Sequence, residues 1–148
     1  MHADGIKATG EVRLQLFGPD GKLKDKRHVQ NLVVTAGLAV LADRMKGTPL
    51  KGEMTHMAVG EGTTAAAAGD TDLETPAGSR QTLTTGVSGA VITYSRTFDA
   101  GESTNSALTE AGLFNASTGG DMLCRTVFTA INKGGSDSLA ITWTVTLS

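Results

Sequence analysis

Residues 138–148 read S-L-A-I-T-W-T-V-T-L-S and alternate between apolar side chains and small, mostly hydroxyl-bearing ones. Successive side chains of a β-strand point to opposite faces, so such an alternation gives the strand one apolar face and one polar face. A helix cannot place five apolar residues that are spaced by two on a single side. The stretch therefore predicts a long, half-buried strand whose core face carries Leu139, Ile141, Trp143, Val145 and Leu147.

Similar short apolar patterns, separated by glycine-rich turn signals such as G-P-D-G at 18–21 and S-T-G-G at 117–120, continue through the sequence. They predict seven more strands, at residues 11–17, 22–34, 54–59, 80–86, 90–98, 107–115 and 121–131. The predicted fold class is mostly β: an antiparallel β-sandwich or jelly roll of about eight strands with one short helix. The 148 residues fit a single domain, which we place at residues 10–148 behind an N-terminal arm of residues 1–9.

The helix is predicted after the second strand. Thr35 is a candidate N-cap, and Gly47 is a candidate for the left-handed position that follows a helix C-terminus. The helical spacing of the apolar residues predicts a buried side formed by Leu38, Leu41, Ala42 and Met45.

Composition limits the partners that the protein is expected to have. Thirteen basic and fifteen acidic residues give a net charge of −2, which does not support a nucleic-acid-binding surface. No run approaches the roughly 18 apolar residues that a membrane-spanning helix needs, and residues 1–10 lack the apolar region of a secretion signal. The charged segment K-L-K-D-K-R at 22–27 predicts a solvated strand that resists edge pairing, with a basic contact patch as the alternative.

We find no pattern that specifies a cofactor or a metal. The G-E-G-T-T-A segment at 60–65 resembles a dinucleotide-binding turn, but no helical pattern follows it, as that motif requires. His2, His28 and His56 are isolated in sequence. Asp70, Asp72 and Glu74 alternate as in a calcium loop, but the glycine and glutamate that such a loop requires are misplaced, which favours a solvated acidic loop.

Two further residues are candidates for chemistry, and both have a simpler interpretation. Glu110, flanked by apolar residues, is expected to be a structural carboxylate that accepts backbone N–H bonds at a strand end. Cys124, the single cysteine, excludes an intramolecular disulfide and is expected to be a buried small side chain rather than a nucleophile. We therefore predict that the protein is not an enzyme and assign no catalytic, cofactor-binding or metal-binding residue.

Several blocks of the sequence resemble small structural proteins of tailed-bacteriophage virions, found as capsid decoration (cement) proteins and as tail-fibre or tail-tip components. The most specific block is E-A-G-L-F-N-A at 110–116. The others are N-L-V-V-T-A-G-L at 31–38, M-A-V-G-E-G-T-T at 57–64, D-T-D-L at 70–73 with Arg80, M-L-C-R-T-V-F at 122–128, Lys133, and L-A-I-T-W-T-V at 139–145.

The resemblance implies a β-sandwich or jelly-roll module that binds other virion proteins and has no catalytic residues. We expect a decoration protein that binds the major capsid protein, stabilises the head and forms a homodimer or homotrimer on a symmetry axis. Its location would be the capsid surface, after assembly in the bacterial cytoplasm. The alternative is a tail-fibre, tail-tip or baseplate component involved in host attachment. A lectin-like module, which would need an exposed aromatic platform, and an enzyme remain less favoured alternatives.

Overall fold

The computed structural model describes residues 7–148, which form nine β-strands and one α-helix. The prediction of a mostly-β, antiparallel fold with one short helix is confirmed. The helix is α1 (Thr35–Arg44), and the strands are β1 (Ala8–Phe17), β2 (Leu23–Val33), β3 (His56–Gly60), β4 (Gln81–Thr82), β5 (Thr84–Ser88), β6 (Val91–Phe98), β7 (Asn105–Phe114), β8 (Met122–Lys133) and β9 (Ser138–Leu147).

All nine strands belong to one nearly closed sheet in the order β4-β3-β7-β8-β2-β1-β9-β6-β5. The strand predicted at 80–86 is divided into β4 and β5, which lie at opposite edges of this order. Only Leu83 separates them, and its N–H donates to the Thr55 carbonyl at 3.0 Å. At this seam, Arg96 of β6 reaches the Thr82 carbonyl and the Gln81 side chain at 3.4 Å and forms an ion pair with Glu102 at 3.0 Å.

The core lies inside the curved sheet, and β9 contributes to it through four of the five predicted residues, while the fifth, Leu147, is only partly buried. Leu139, Ile141, Trp143 and Val145 are each at most 1% exposed, whereas the residues between them are partly exposed. Strand β9 pairs with β1 on one side and with β6 on the other. Trp143 is therefore directly opposite Val12 and Tyr94, both of which are buried.

Strands β2 and β8 separate soon after they meet, since only Leu32 and Val33 pair with β8. Arg27 spans the resulting gap, donating to the Thr129 carbonyl at 2.9 Å while it is held by Asp25. The rest of this edge of β2 carries the charged segment predicted to resist edge pairing, and its three lysines are exposed. Charge thus protects the part of β2 that β8 does not cover.

The predicted position of the helix is correct, but its predicted cap is wrong, and only Leu41 of the predicted buried side packs, partly buried, against the core. Thr35 is the first helical residue rather than the cap, and Val34 occupies the N-cap position without a side-chain hydrogen bond. Gly37 and Val40 form the buried side, whereas Leu38 is 48% exposed and Met45 84% exposed. Gly37 decides this orientation because a Cβ there would lie 2.3 Å from the Leu123 carbonyl oxygen, so the helix contacts β8 through its smallest residue. Gly47 does not adopt a positive φ.

The boundary of the predicted N-terminal arm also changes. Residues 8 and 9 belong to β1, and Lys7 exchanges two backbone hydrogen bonds with Ser148, at 2.6 and 2.9 Å. The rest of the predicted arm, residues 1–6, lies outside the described residues.

The complete burial of Trp143 leads to a quantitative prediction. Replacing it with alanine empties the centre of the core and should lower the free energy of unfolding by about 3–5 kcal/mol, measured by urea denaturation. Thr144→Ala, on the outer face of the same strand, should change it by less than about 0.5 kcal/mol. Equal effects of the two substitutions would show that the core face of β9 is misassigned.

Candidate functional site

The most unusual polar feature is a buried ion pair on the outer face of the sheet. Glu110 lies in the middle of β7 and Arg125 in β8, and their side chains are 0% and 2% exposed. The adjacent residues Ala111 and Cys124 belong to the core, so Glu110 and Arg125 point to the opposite face. Side chains on this face are normally solvated, and therefore something must cover them.

The cover is the long loop between β3 and β4, residues 61–80. Leu73 of this loop packs in a small apolar cluster with Ala58, Phe114 and Met122, which lie on the outer faces of β3, β7 and β8. At the other side of the loop, the Thr35 N–H at the start of α1 donates to the Ala68 carbonyl at 2.8 Å. The loop is thus a second layer over this part of the sheet. We call this region the loop-covered face.

The Glu110 carboxylate organises the loop by accepting four N–H donors. Its Oε2 accepts the backbone N–H groups of Gly62 at 2.7 Å and Thr75 at 2.8 Å. Its Oε1 accepts the N–H of Glu74 at 2.9 Å and the Nε–H of Arg125 at 3.0 Å. An ionised carboxylate has about four acceptor sites, so its hydrogen-bonding capacity is filled. The prediction of a structural carboxylate that accepts backbone N–H bonds is confirmed, except that Glu110 lies within the strand rather than at its end.

Arg125 extends the connection to the middle of the loop. Its Nη1 donates to Asp70 Oδ2 at 3.0 Å, and the same oxygen accepts the Ala67 N–H at 2.9 Å. One arginine therefore joins β7, β8 and the loop, and the loop is fixed at both of its ends and at its centre.

The glycines at 60 and 62 permit this arrangement. A Cβ on Gly60 would lie 2.4 Å from the Thr75 carbonyl oxygen, and one on Gly62 would lie 2.3 Å from Glu110 Oε2. Both distances are shorter than any tolerated contact. The glycine pattern that resembles a dinucleotide-binding turn thus serves the close approach of the loop backbone to a carboxylate of the protein itself.

The remaining acidic residues of the loop hold its local shape. Glu74 Oε1 accepts the N–H groups of Thr63 and Thr64 at 2.9 and 3.1 Å, and the Thr64 hydroxyl donates to its other oxygen. The hydrogen bond from the Thr64 side chain is the main reason that the pKa of Glu74 is lowered. Asp72 faces Arg80 at 3.5 Å, and Glu61 accepts a hydrogen bond from Asn105 at 2.9 Å. The alternating carboxylates therefore each have a separate partner within the protein.

Arg80 fastens the end of the loop. Its guanidinium carbon lies 3.5 Å from the centre of the Phe114 ring, and its Nη1 donates to the carbonyls of Ala116 and Gly119 at 2.9 and 2.8 Å. A stacked arginine with two carbonyl partners is more rigid than a lysine would be at the same place.

The charged and histidine side chains of this part of the sheet contact other groups of the protein and do not converge on one point. Within residues 7–148, no three His, Cys, Asp or Glu side chains are placed to hold a metal ion. His28 contacts Glu11 at 3.1 Å and His56 contacts the Thr55 hydroxyl at 2.8 Å, far apart in the sheet, while His2 lies outside the described residues. A general base needs a free lone pair within reach of a substrate, and Glu110 has none left.

Two other buried reactive groups have structural surroundings. Cys124 is completely buried in the core, as predicted, and burial strongly raises the pKa of its thiol. Lys133 is also fully buried, and its Nζ donates to the Asp99 carbonyl at 2.9 Å, which ties β8 to the segment between β6 and β7. Desolvation lowers the pKa of Lys133, while Asp137, Glu102 and Asp99 act in the opposite direction.

Sequence reasoning identified Glu110 but missed Arg125, its ion-pair partner, and Asp70, which accepts a hydrogen bond from Arg125. The available signal was the combination of one carboxylate and one arginine in adjacent predicted strands, each at the centre of an otherwise apolar run. Such ionised residues in apolar strands are almost always paired.

No protein-family model, no curated protein and no solved structure matches the chain. In the described part of the chain, no helix is long and apolar enough to cross a membrane.

The buried ion pair predicts a specific effect of Glu110→Gln. The substitution leaves Arg125 without its partner and puts an amide N–H₂ group against N–H donors, so it should cost about 3 kcal/mol or more in the free energy of unfolding. Hydrogen exchange should show faster exchange at the amides of Gly62, Glu74 and Thr75 than in the wild type. Glu61→Gln, which changes an exposed carboxylate of the same loop, is the control and should leave these amides protected. Unchanged protection in Glu110→Gln would contradict the role assigned to the carboxylate.

The burial of Cys124 predicts that it reacts with thiol reagents only after unfolding. Iodoacetamide labelling, followed by mass spectrometry, should be negligible without denaturant and complete above the urea midpoint. The variant Val87→Cys, at a position that is 69% exposed, should show one rapidly labelled cysteine under native conditions. Rapid labelling of the wild-type protein would show that Cys124 is accessible.

Proposed function

We propose that the protein is a non-enzymatic structural protein of a phage virion, most consistent with a capsid decoration protein that binds the major capsid protein and stabilises the head. The observation that carries the proposal is the loop-covered face, where the buried pair of Glu110 and Arg125 holds a long loop in one conformation. Binding surfaces are commonly loops that a rigid scaffold positions.

The exposed part of the loop suits contact with another protein. Residues 63–69, T-T-A-A-A-A-G, carry no charge, and nearly all of them are exposed. Small side chains allow the backbone of a partner to approach closely, and a fixed loop loses little conformational entropy on binding. In a decoration protein, many weak contacts of this kind would act together on a closed shell.

The sequence blocks that resemble phage virion proteins provide the second support. The segments at 57–64, 70–73, 110–116 and 122–128 contribute β3, the loop, β7 and β8, which together build the loop-covered face. Much of the resemblance thus falls on residues that form one surface, rather than on unrelated turns. The resemblance therefore supports a shared structural pattern, and it supports a shared function only through that pattern, because proteins with the same fold can have different functions.

The proposal includes a homodimer or homotrimer seated on a symmetry axis of the capsid, with assembly in the bacterial cytoplasm, and no nucleic acid, membrane or cofactor. The competing role is that of a tail-fibre, tail-tip or baseplate component. A lectin-like role receives no support, since no aromatic side chain among residues 7–148 is exposed.

The location of the protein in particles tests the proposal. Particles purified from lysates of the host should contain the chain in a copy number that is a whole multiple of the number of equivalent icosahedral sites. Cryo-electron microscopy should show the chain repeated at local two-fold or three-fold positions. A few copies at the tail would support the competing role. Absence of the chain from particles would refute both.

A further inference from the structure

A cleft on the outer face of β1, β2 and β9 is lined by basic and polar side chains and offers about 460 Å³ of space. Its lining residues are Arg13, Gln15, Lys26, Arg27, His28 and Thr142. The volume lies in the range of clefts that bind small molecules, about 300–1,000 Å³. We call this region the basic cleft.

The strand register brings the side chains of the basic cleft together. Leu14 of β1 belongs to the core, so its neighbours Arg13 and Gln15 point to the outer face. In the pairing with β2, Arg13 lies opposite His28 and Gln15 lies opposite Lys26. Arg13 and Lys26 are therefore diagonal neighbours on the same face, a separation of about 7–8 Å that long side chains can span.

Arg13 and Lys26 are the basic residues of this region that have no partner within residues 7–148. The sequence contains six arginines, and the other five each donate to a carboxylate or to a backbone carbonyl. The other basic groups near the cleft are occupied by Asp25, which holds Arg27, by Glu11, which contacts His28, and by Asp137, which holds Lys24. Like charges that lie close together on a sheet repel each other, so a bound anion would stabilise this face.

The unpaired groups of the basic cleft are mainly hydrogen-bond donors. The guanidinium of Arg13 has five N–H donors and the ammonium of Lys26 has three, and neither group can accept a hydrogen bond. The Gln15 amide and the Thr142 hydroxyl line the same cleft and can donate as well. Two unpaired positive charges match one doubly charged oxyanion, and a phosphate monoester approaches this state at neutral pH. A carboxylate, with one charge, would neutralise only one of the two cations.

We propose that the basic cleft binds a doubly charged phosphate group, held by Arg13 and Lys26, with Gln15 and Thr142 as additional donors. The space exceeds what the phosphate group itself fills, which leaves room for the organic part of a phosphate monoester. A phosphodiester has one charge per phosphate and is the poorer match. The proposal goes beyond the virion role and does not rest on it.

A titration of the isotope-labelled protein near neutral pH tests the proposal. Glycerol 3-phosphate should shift the backbone amide resonances of residues 13–15, 26–28 and 142 in a saturable manner, and sodium chloride at equal ionic strength should not. Dimethyl phosphate, a singly charged diester, should bind about tenfold more weakly or less. Absence of saturation, or equal affinity for the monoester and the diester, would overturn the proposal.

Inorganic phosphate identifies the source of the phosphate group. Tighter binding of glycerol 3-phosphate than of inorganic phosphate would support a monoester as the ligand, and equal affinities would support the free ion at the same site.

Three variants make the test specific. Arg13→Gln and Lys26→Gln each remove one charge at an exposed position, and each should weaken the binding of glycerol 3-phosphate by about tenfold or more without lowering the melting temperature. Lys22→Gln is the matched control, since it removes an exposed charge from the same segment but outside the cleft, and it should bind as the wild type does. An equal loss of affinity in all three variants would indicate general electrostatic attraction and would overturn the assignment.

Discussion

A carboxylate that is removed from water must have its acceptor sites occupied, and this requirement at Glu110 shapes much of the molecule. Three of its four donors come from the loop backbone, so the loop must pass within hydrogen-bonding distance of the sheet. That approach requires glycine at 60 and 62, and it places Leu73 over the apolar outer face of β3, β7 and β8. Loop conformation, glycine positions and the second apolar cluster are therefore consequences of one buried charge.

Arginine side chains recur wherever regular strand pairing stops. Arg27 crosses the gap where β2 leaves β8, Arg96 reaches across the seam between β6 and β4, and Arg80 joins the loop to the turn after β7. Each donates to one or more backbone carbonyls at these places. A planar group with five donors can serve such irregular positions, which a ladder of backbone bonds cannot. The sheet closes by side-chain contacts where its backbone geometry does not permit pairing.

The sequence predicted the positions of the strands and of the helix better than it predicted which of their side chains are buried and what those side chains contact. Alternation located β9 and its core face because a strand with one buried side must repeat every two residues. The same reasoning failed for α1, where Gly37 and not Leu38 faces the sheet. The orientation of the helix depends on the close approach of the Leu123 backbone, which leaves no trace in the spacing of apolar residues along the helix. Glu110 was predicted as a structural carboxylate, but its partners come from a loop more than thirty residues away, and no local rule indicates which loop amides reach it.

The position of β9 has a consequence for how the protein folds during synthesis. This strand is the last in chain order, yet it lies between β1, the first strand, and β6. Until residues 138–147 leave the ribosome, β1 lacks one of its two neighbours, and the apolar faces of β1 and β6 lack the tryptophan that fills the space between them. Such long-range pairing delays the cooperative folding step until residues 138–147 have been synthesised, and it makes folding slow relative to helical domains of this size. Residues 22–27, with five charges in six positions, are the kind of segment that limits aggregation of neighbouring apolar strands while β1 is incompletely paired.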